Sequence, residues 1–315
     1  MADTLKKGTL FPPELVKELF SKVGGHSTIA KLSKQTPIAF NGNEEFVFSM
    51  EDEVNIVAEG GKKDAGSIKF EPVIMAPIKV EFGARVTDEF LYASEEKQIE
   101  ILKSFAEGYA KKVARAIDIM AFHGVNPRTN TASALIGKNS FDTNPDVNVI
   151  EYDAVSIEEN IESAIAAMNE DFDCTGMGMS KDFSRTLASL TVNGVKQYPE
   201  LGWGKNPGVV KGLPVDVNST VSFKGSKDKA VIGDFENAFK WGYAKEIPLE
   251  IIPYGDPDQT GEDLKAHGQV YLRSETYIGW AIMVAEAFSR IAEKAAESSD
   301  SSSDSQTGQE NTNGV

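Results

Sequence analysis

The stretch from Ser94 to Gly124, SEEKQIEILKSFAEGYAKKVARAIDIMAFHG, constrains this chain more than any other. Ile99, Leu102, Phe105, Tyr109, Val113, Ile117 and Met120 recur at spacings of three and four, which predicts one buried face of an α-helix. Ser94 is placed to cap the first turn, Glu95 and Glu96 suit the positive end of the helix dipole, and Gly124 is a natural terminator. No proline interrupts the run, so about 29 residues should form a rod of roughly 43 Å at 1.5 Å per residue. The opposite face carries Lys97, Glu100, Lys103, Glu107, Lys111 and Arg115, a charged surface suited to solvent or to neighbouring subunits. Taken alone, the stretch reads as the long core helix of an ordinary enzyme.

With 315 residues the chain can bury a sizeable core in one large or two modest domains, and 41% hydrophobic and 25% charged residues are values of a globular protein. No apolar run reaches transmembrane length, and the first residues lack the apolar core of a signal peptide. Cys174 is the single cysteine, which excludes an intrachain disulfide and fits synthesis in a reducing cytoplasm. The formal charge is −16, of which the last twenty residues supply Glu297, Asp300, Asp304 and Glu310; subtracting those four leaves −12 on the body. Such acidity argues against tight contact with nucleic acid, which requires an excess of Lys and Arg at phosphates.

In chain order, Pro12 and Pro13 open a short amphipathic helix with Leu15, Leu19, Phe20 and Val23 on one face, ended by Gly24-Gly25. Residues 26 to 40 are apolar in patches without a sustained period, as expected of an arm lying across another surface. From Glu45 the period becomes two: Phe46, Phe48 and Met50 alternate with Val47 and Ser49. AEGGKKDAGS, residues 58 to 67, is an exposed turn, and the chain returns through Ile68, Phe70, Val73, Ile74, Ile78, Val80 and Phe82. Pro72 and Pro77 exclude the centre of a regular sheet. The pattern predicts a long two-stranded ribbon with a glycine-rich tip, which is marginal in water unless it lies on something else.

Residues 125 to 150 are rich in Asn, Thr, Ser and Pro and read as surface loops. Ile157, Ile161, Ile165 and Met168 mark another amphipathic helix; Thr175 to Met179 reads as a buried strand, with Ser180 capping a helix that carries Phe183, Leu187 and Leu190. Residues 193 to 212 form a long glycine-rich loop of the kind that is usually functional or mobile. Strands are expected at Leu213 to Val217, at Ala230 to Ile232, and on both sides of the polar turn 255 to 267. Residues beyond Glu297 are too poor in apolar side chains to repay the entropy of ordering.

Residues able to support catalysis are sparse. His26, His123 and His267 have no ligand partner at i+3 or i+4, and the Asp171–Asp173 pair lacks a third ligand. Cys174 sits beside Asp173 with no cationic neighbour, the setting of a buried thiol. No phosphate-binding loop, nucleophile elbow or dinucleotide fingerprint is present, and the glycines of GVKQYPELGWGKNPG lack a strand-to-helix context. No catalytic, cofactor-binding or metal-ligating residue is therefore assigned.

Arm, ribbon, long helix, mixed α/β region and terminal strands, in that order, resemble the tailed-bacteriophage major capsid proteins with the Hong Kong 97-type fold. VAEGGKKDAGSIKFEPVIMAPIKVEFGARVTDEFL resembles the family's ribbon and its return into the long helix, through the AEGG turn and the ending Thr87-Asp88-Glu89-Phe90-Leu91. KGLPVDVNSTV, AVIGDFENAF and MVAEAFSRI resemble later landmarks in the same order. Each motif is weak alone, whereas their conjunction in order, over about residues 10 to 292, is much stronger.

The resemblance implies an α+β protomer. Its parts would be an N-terminal arm at 1–40, an extended β-ribbon loop at 41–84, and a peripheral domain at 85–150 and 236–278 with the spine helix at 94–123. An α/β axial domain would follow at 151–235 and 279–294, then an acidic, disordered tail at 295–315. It implies a structural, non-enzymatic role: self-assembly into pentamers and hexamers of an icosahedral phage head that encloses double-stranded DNA without binding it tightly. The protein would be made in the host cytoplasm and reside in the virion, with no cofactor and no membrane. A separate scaffolding protein, a portal and decoration proteins are the further partners implied. Candidate inter-subunit contacts are Phe46, Phe48, Lys62 and Lys63 on the ribbon and Trp203 in the loop near the capsomer centre. Some members join a ribbon lysine to an asparagine with help from a glutamate; Asn237 and Glu250 are the available types here, and non-covalent contacts through Lys62 and Lys63 are the expectation. Encapsulin shells, which share the fold and enclose cargo enzymes, are the alternative assembly; an enzyme of unknown type is the less favoured one.

Overall fold

The computed structural model describes residues 26–50, 52, 54–63, 65–93 and 95–294. The helix expected after Pro13, the cap assigned to Ser94 and the tail from 295 lie outside the described residues. In chain order the elements are α1 (Thr28–Leu32), β1 (Asn43–Met50), β2 (Ile68–Met75), β3 (Ile78–Thr87), α2 (Glu89–Tyr92), α3 (Glu95–His123), β4 (Asn148–Glu151) and α4 (Ile157–Ala166). There follow β5 (Gly176–Met179), α5 (Lys181–Ser189), β6 (Thr191–Val192), β7 (Val195–Lys196), β8 (Val209–Val210), β9 (Leu213–Val217), β10 (Asp228–Gly233), β11 (Phe239–Ile252), β12 (Gln269–Ile282) and β13 (Phe288–Ala292).

Helix α3 has the predicted length and the predicted face. Leu102, Tyr109, Val113, Ile117 and Met120 are buried, and Phe105 is half-buried with its ring 5.9 Å from that of Phe82. Over its last two turns the helix is enclosed on every side, so Asp118, Ile119, Ala121, Phe122 and His123 are buried too. Amphipathic periodicity reports one face and therefore missed this second buried side.

Four sheets lie among the described residues, of which the short β6–β7 pair is the smallest and the other three organise the rest. A six-stranded mixed sheet has the order β4-β13-β10-β5-β9-β8, a three-stranded antiparallel sheet has the order β11-β12-β3, and β1 and β2 pair alone as a ribbon. Strand β10 divides two cores by simple alternation. Val231 joins the core around α3, with Phe122, Phe141, Phe235, Phe239 and Phe288, while Ala230 and Ile232 face the core beneath α4 and α5. Ser180 caps α5 as expected, accepting from the Phe183 N–H at 3.2 Å. Helix α4 is rotated from its expected setting: Ile157, Asn160 and Ala164 are buried, whereas Ile165 is exposed.

Two further expectations are revised. The pattern that carried the ribbon through Ile78, Val80 and Phe82 belongs to β3, which pairs with β12 from Gln269↔Thr87 to Ile278↔Ile78. Ala76-Pro77 is the break, so the ribbon proper springs from the edge of the three-stranded sheet. Residues 27 to 38, read as part of an arm on another surface, pack on the chain's own body. Ile29, Leu32 and Ile38 are buried, and the Thr36 N–H donates to the Trp241 carbonyl at 2.8 Å. The reason is in β5, GMGM: Met177 and Met179 fill one core while the opposite face presents only glycine. A Cβ at Gly178 would stand 2.8 Å from Thr28 Cγ2, and one at Gly242 would stand 1.8 Å from the Thr36 carbonyl, so the arm's path requires glycine at both.

Candidate functional site

The most exposed apolar surface belongs to the ribbon. The register sets Phe46 opposite Pro72 and Phe48 opposite Phe70, so Phe46, Phe48, Ile68, Phe70 and Ile74 share one face. All five are more than half exposed, and the Phe46 and Phe70 rings stack at 4.6 Å. The other face is tied down at its root. Met75 is buried with Ile38 and Ala281, and Lys240 forms an ion pair with Glu45. The protomer therefore fixes where the ribbon leaves the body and leaves its apolar face uncovered.

Beyond the paired strands, Val54 and Ile56 are almost fully exposed, and the Asp52 carboxylate closes the loop by accepting from the Ser67 N–H at 2.6 Å and its hydroxyl at 2.7 Å. Those two donors hold the Asp52 carboxyl below its ordinary range. Lys62 and Lys63 are exposed at the tip, as predicted. Asn237 and Glu250 are both engaged within the protomer, Asn237 donating to Asp234 at 2.8 Å and Glu250 pairing with Arg273 at 2.8 Å.

Trp203 is fully exposed, and its φ of +61° lies in the left-handed region that non-glycine residues seldom adopt. The loop that carries it is anchored beside it: Tyr198 and Leu201 are buried, the Tyr198 hydroxyl donates to Glu158 at 2.5 Å, and Lys211 donates to that hydroxyl at 2.7 Å. Val192, Val195 and Val209 in the same region are also more than half exposed. The loop thus has a buried root and an exposed aromatic tip.

A cleft of about 920 Å³ runs between β3, α3 and residues 126–136. Tyr109, Val113 and Ile119 give it an apolar floor, and its charged lining is Lys79, Lys112, Arg115, Arg128 and Lys224 against Glu81, a largely cationic border on an acidic protein. Nothing in it resembles a nucleophile with a base. Cys174 is half-buried, and burial pushes its thiol up, away from the reactive thiolate. Among the described residues the one group with the make-up of a metal site is His123 with Asp142 and Asp228, which sequence spacing did not reveal.

The phage capsid family model matches residues 7–292. The chain belongs to the phage capsid family. Among solved structures, this capsid chain is similar to one from Mycobacterium phage Ogopogo, 28% identical with a TM-score of 0.71 over 85% of this chain and 92% of that one. A chain from Gordonia phage Cozz is 22% identical with a TM-score of 0.71, covering 86% and 87% respectively, and shares the fold. So does the capsid of a native GTA particle, 11% identical with a TM-score of 0.60 over 94% of each chain. No curated protein sequence matches. The family read from the ribbon, the long helix and the later motifs is thus the one found, and the chain is a structural component of a phage particle. No described helix is long and apolar enough to cross a membrane.

Proposed function

We propose that this capsid protein has the Hong Kong 97-type fold and self-assembles into pentamers and hexamers of a closed icosahedral head around DNA. The observation that carries the reading is the ribbon's uncovered face. Five large apolar side chains, each about half exposed, present on the order of 500 Å², as large as the biggest patch a monomer usually carries. At ~25 cal/mol/Å² its burial would favour association by on the order of 10 kcal/mol before the costs of ordering. The occupant is a second copy. Residues 43–75 carry eight acidic side chains against Lys62, Lys63 and Lys69, so the basic rim of the apolar cleft complements the ribbon in both charge and hydrophobicity. Lys62 and Lys63 make cross-subunit electrostatic contacts in this reading, and Trp203 packs where subunits meet around a capsomer axis.

The test is assembly of the purified chain, read by negative-stain microscopy and sedimentation, alone and with a candidate scaffolding protein. Phe46→Ser with Phe70→Ser, and deletion of residues 44 to 70, should each leave a folded, soluble protomer that forms no shells. Normal shells from either variant would refute the reading.

A further inference from the structure

A second feature, independent of assembly, lies where the spine helix ends. His123, the last residue of α3, sits with its Nε2 2.8 Å from the Thr220 carbonyl oxygen. A carbonyl only accepts, so Nε2 carries a hydrogen, and Nδ1 is the ring nitrogen placed to act as a ligand. That nitrogen faces Asp142 Oδ2 at 2.8 Å and Asp228 Oδ2 at 3.9 Å. On the far side of the two carboxylates, one Arg290 nitrogen lies 3.0 Å from Asp142 Oδ1 and 3.0 Å from Asp228 Oδ1. The Oδ1 atoms are thus satisfied and the Oδ2 atoms are left to meet the imidazole.

This leaves a defined deficit. Asp228 is 99% buried by its side-chain exposure of 1%, and its Oδ2 has no hydrogen-bond partner. Two carboxylates share one guanidinium, so a cation held between their Oδ2 atoms would balance the second of them. Three donor atoms, one nitrogen and two oxygens, converge within 4.8 Å of one another. We propose that His123, Asp142 and Asp228 bind one divalent transition-metal ion of the Zn²⁺ or Mn²⁺ type.

The geometry suits such an ion. At about 2.0–2.2 Å from each ligand, its donor atoms stand roughly 3–3.5 Å apart, between the 2.8 and 3.9 Å observed. The hydrogen bond from Nε2 to a backbone carbonyl is the outer contact that orients a metal-binding histidine, and Arg290 orients both carboxylates. Asp142 and Arg290 remain about a quarter exposed and give an ion a way in from solvent. Bound there, the ion would join the end of α3 to β10 and to the segment that enters the aromatic core at Phe141, bracing the junction between the two cores.

The experiment uses the full chain before assembly, stripped with a chelator, loaded separately with Zn²⁺ and Mn²⁺, and desalted. Elemental analysis should find about one ion retained per chain with either metal or both. The thermal midpoint should rise by several degrees, reversibly on adding chelator. His123→Gln should abolish retention. X-ray absorption at the zinc edge of the wild-type chain should show an imidazole nitrogen among oxygen ligands, which keeps the test decisive if the variant fails to fold. Failure of the wild type to retain either ion, equal retention by His123→Gln, or a zinc shell without imidazole would each overturn the proposal. None of these outcomes depends on whether shells form.

Discussion

Asp118 offers the most direct test of how the N-terminal segment is held. Its carboxylate is fully buried on α3 and accepts five hydrogen bonds: from the Ser27 hydroxyl at 2.5 Å, the Thr28 N–H at 2.9 Å, the Ile29 N–H at 3.2 Å, the Thr220 hydroxyl at 2.8 Å and the Asn218 amide at 3.3 Å. Three of the five come from the start of α1, so one side chain gathers the N-terminal segment onto the spine. In Asp118→Ala the two hydroxyls can turn to other acceptors, but the amides of Thr28 and Ile29 cannot. At ~1–3 kcal/mol for each buried orphan donor, the loss should be about 2–6 kcal/mol, less what is recovered by no longer burying a charge. Burial pushes Asp118 up to about 6 against the pull of its five donors. A folded-state value above the unfolded one means that the folded chain holds the proton more tightly. Stability from this group should therefore fall as pH rises from about 4 to 6, by up to about 3 kcal/mol, and then level off. Asp118→Asn should lack that slope. Urea unfolding of the dispersed chain across pH 4 to 7.5, with amide exchange over residues 27–38, measures both effects. An alanine variant within about 0.5 kcal/mol of wild type, with protection at Thr28 and Ile29 intact, would refute the anchoring role.

Three further outcomes are expected. Val113→Asp, at a position only 3% exposed, should destabilise by several kcal/mol, and Phe105→Asp by less because Phe105 is half-buried; equal, negligible shifts in urea midpoint would show that the buried face of α3 is misassigned. Truncation after Ala296 should leave shell formation intact, since the tail's composition cannot repay ordering; loss of particles in the microscope would count against this. Boiled mature particles should run as a single band near 34.2 kDa, whereas a ladder of multimers abolished by Lys62→Ala or Lys63→Ala would mean that the shell cross-links itself.

The features legible in the sequence were those written in local periods. Seven apolar residues at helical spacing gave α3 almost to the residue, and alternation around AEGG gave the ribbon and its exposed tip. Trp203 was placed in a loop by its glycines, although nothing local showed that Tyr198 and Leu201 would hold that loop rigidly. What escaped was non-local. Asp118 meets Ser27 across 91 residues, and Arg290 meets Asp142 across 148, so neither pairing leaves a spacing to read. The packing of α1 was hidden for a different reason. Its receptor is an absence of side chains, the glycines of GMGM, and a glycine in a strand signals a close approach without naming what approaches.

Those hidden contacts bear on how the exposed ones can work. A ribbon with a freely moving root would lose much of its binding energy in being ordered against a neighbour. Here the root is fixed within the protomer: Met75 is buried against Ile38, and Ile38 follows the segment that Asp118 and Gly178 seat on the body. Lys240 holds Glu45 on the same inner face. The Trp203 loop repeats the arrangement with Tyr198, Glu158 and Lys211 at its base. In both places the polar and buried groups serve the protomer, and the apolar side chains left over point away from it. The body's charge of −12 opposes contact between protomers over a Debye length of about 8–10 Å, while the apolar faces act only on contact. In the proposed assembly, association therefore depends on bringing particular faces together, so the buried hydrogen bonds of one subunit would help decide which surfaces of two subunits can meet.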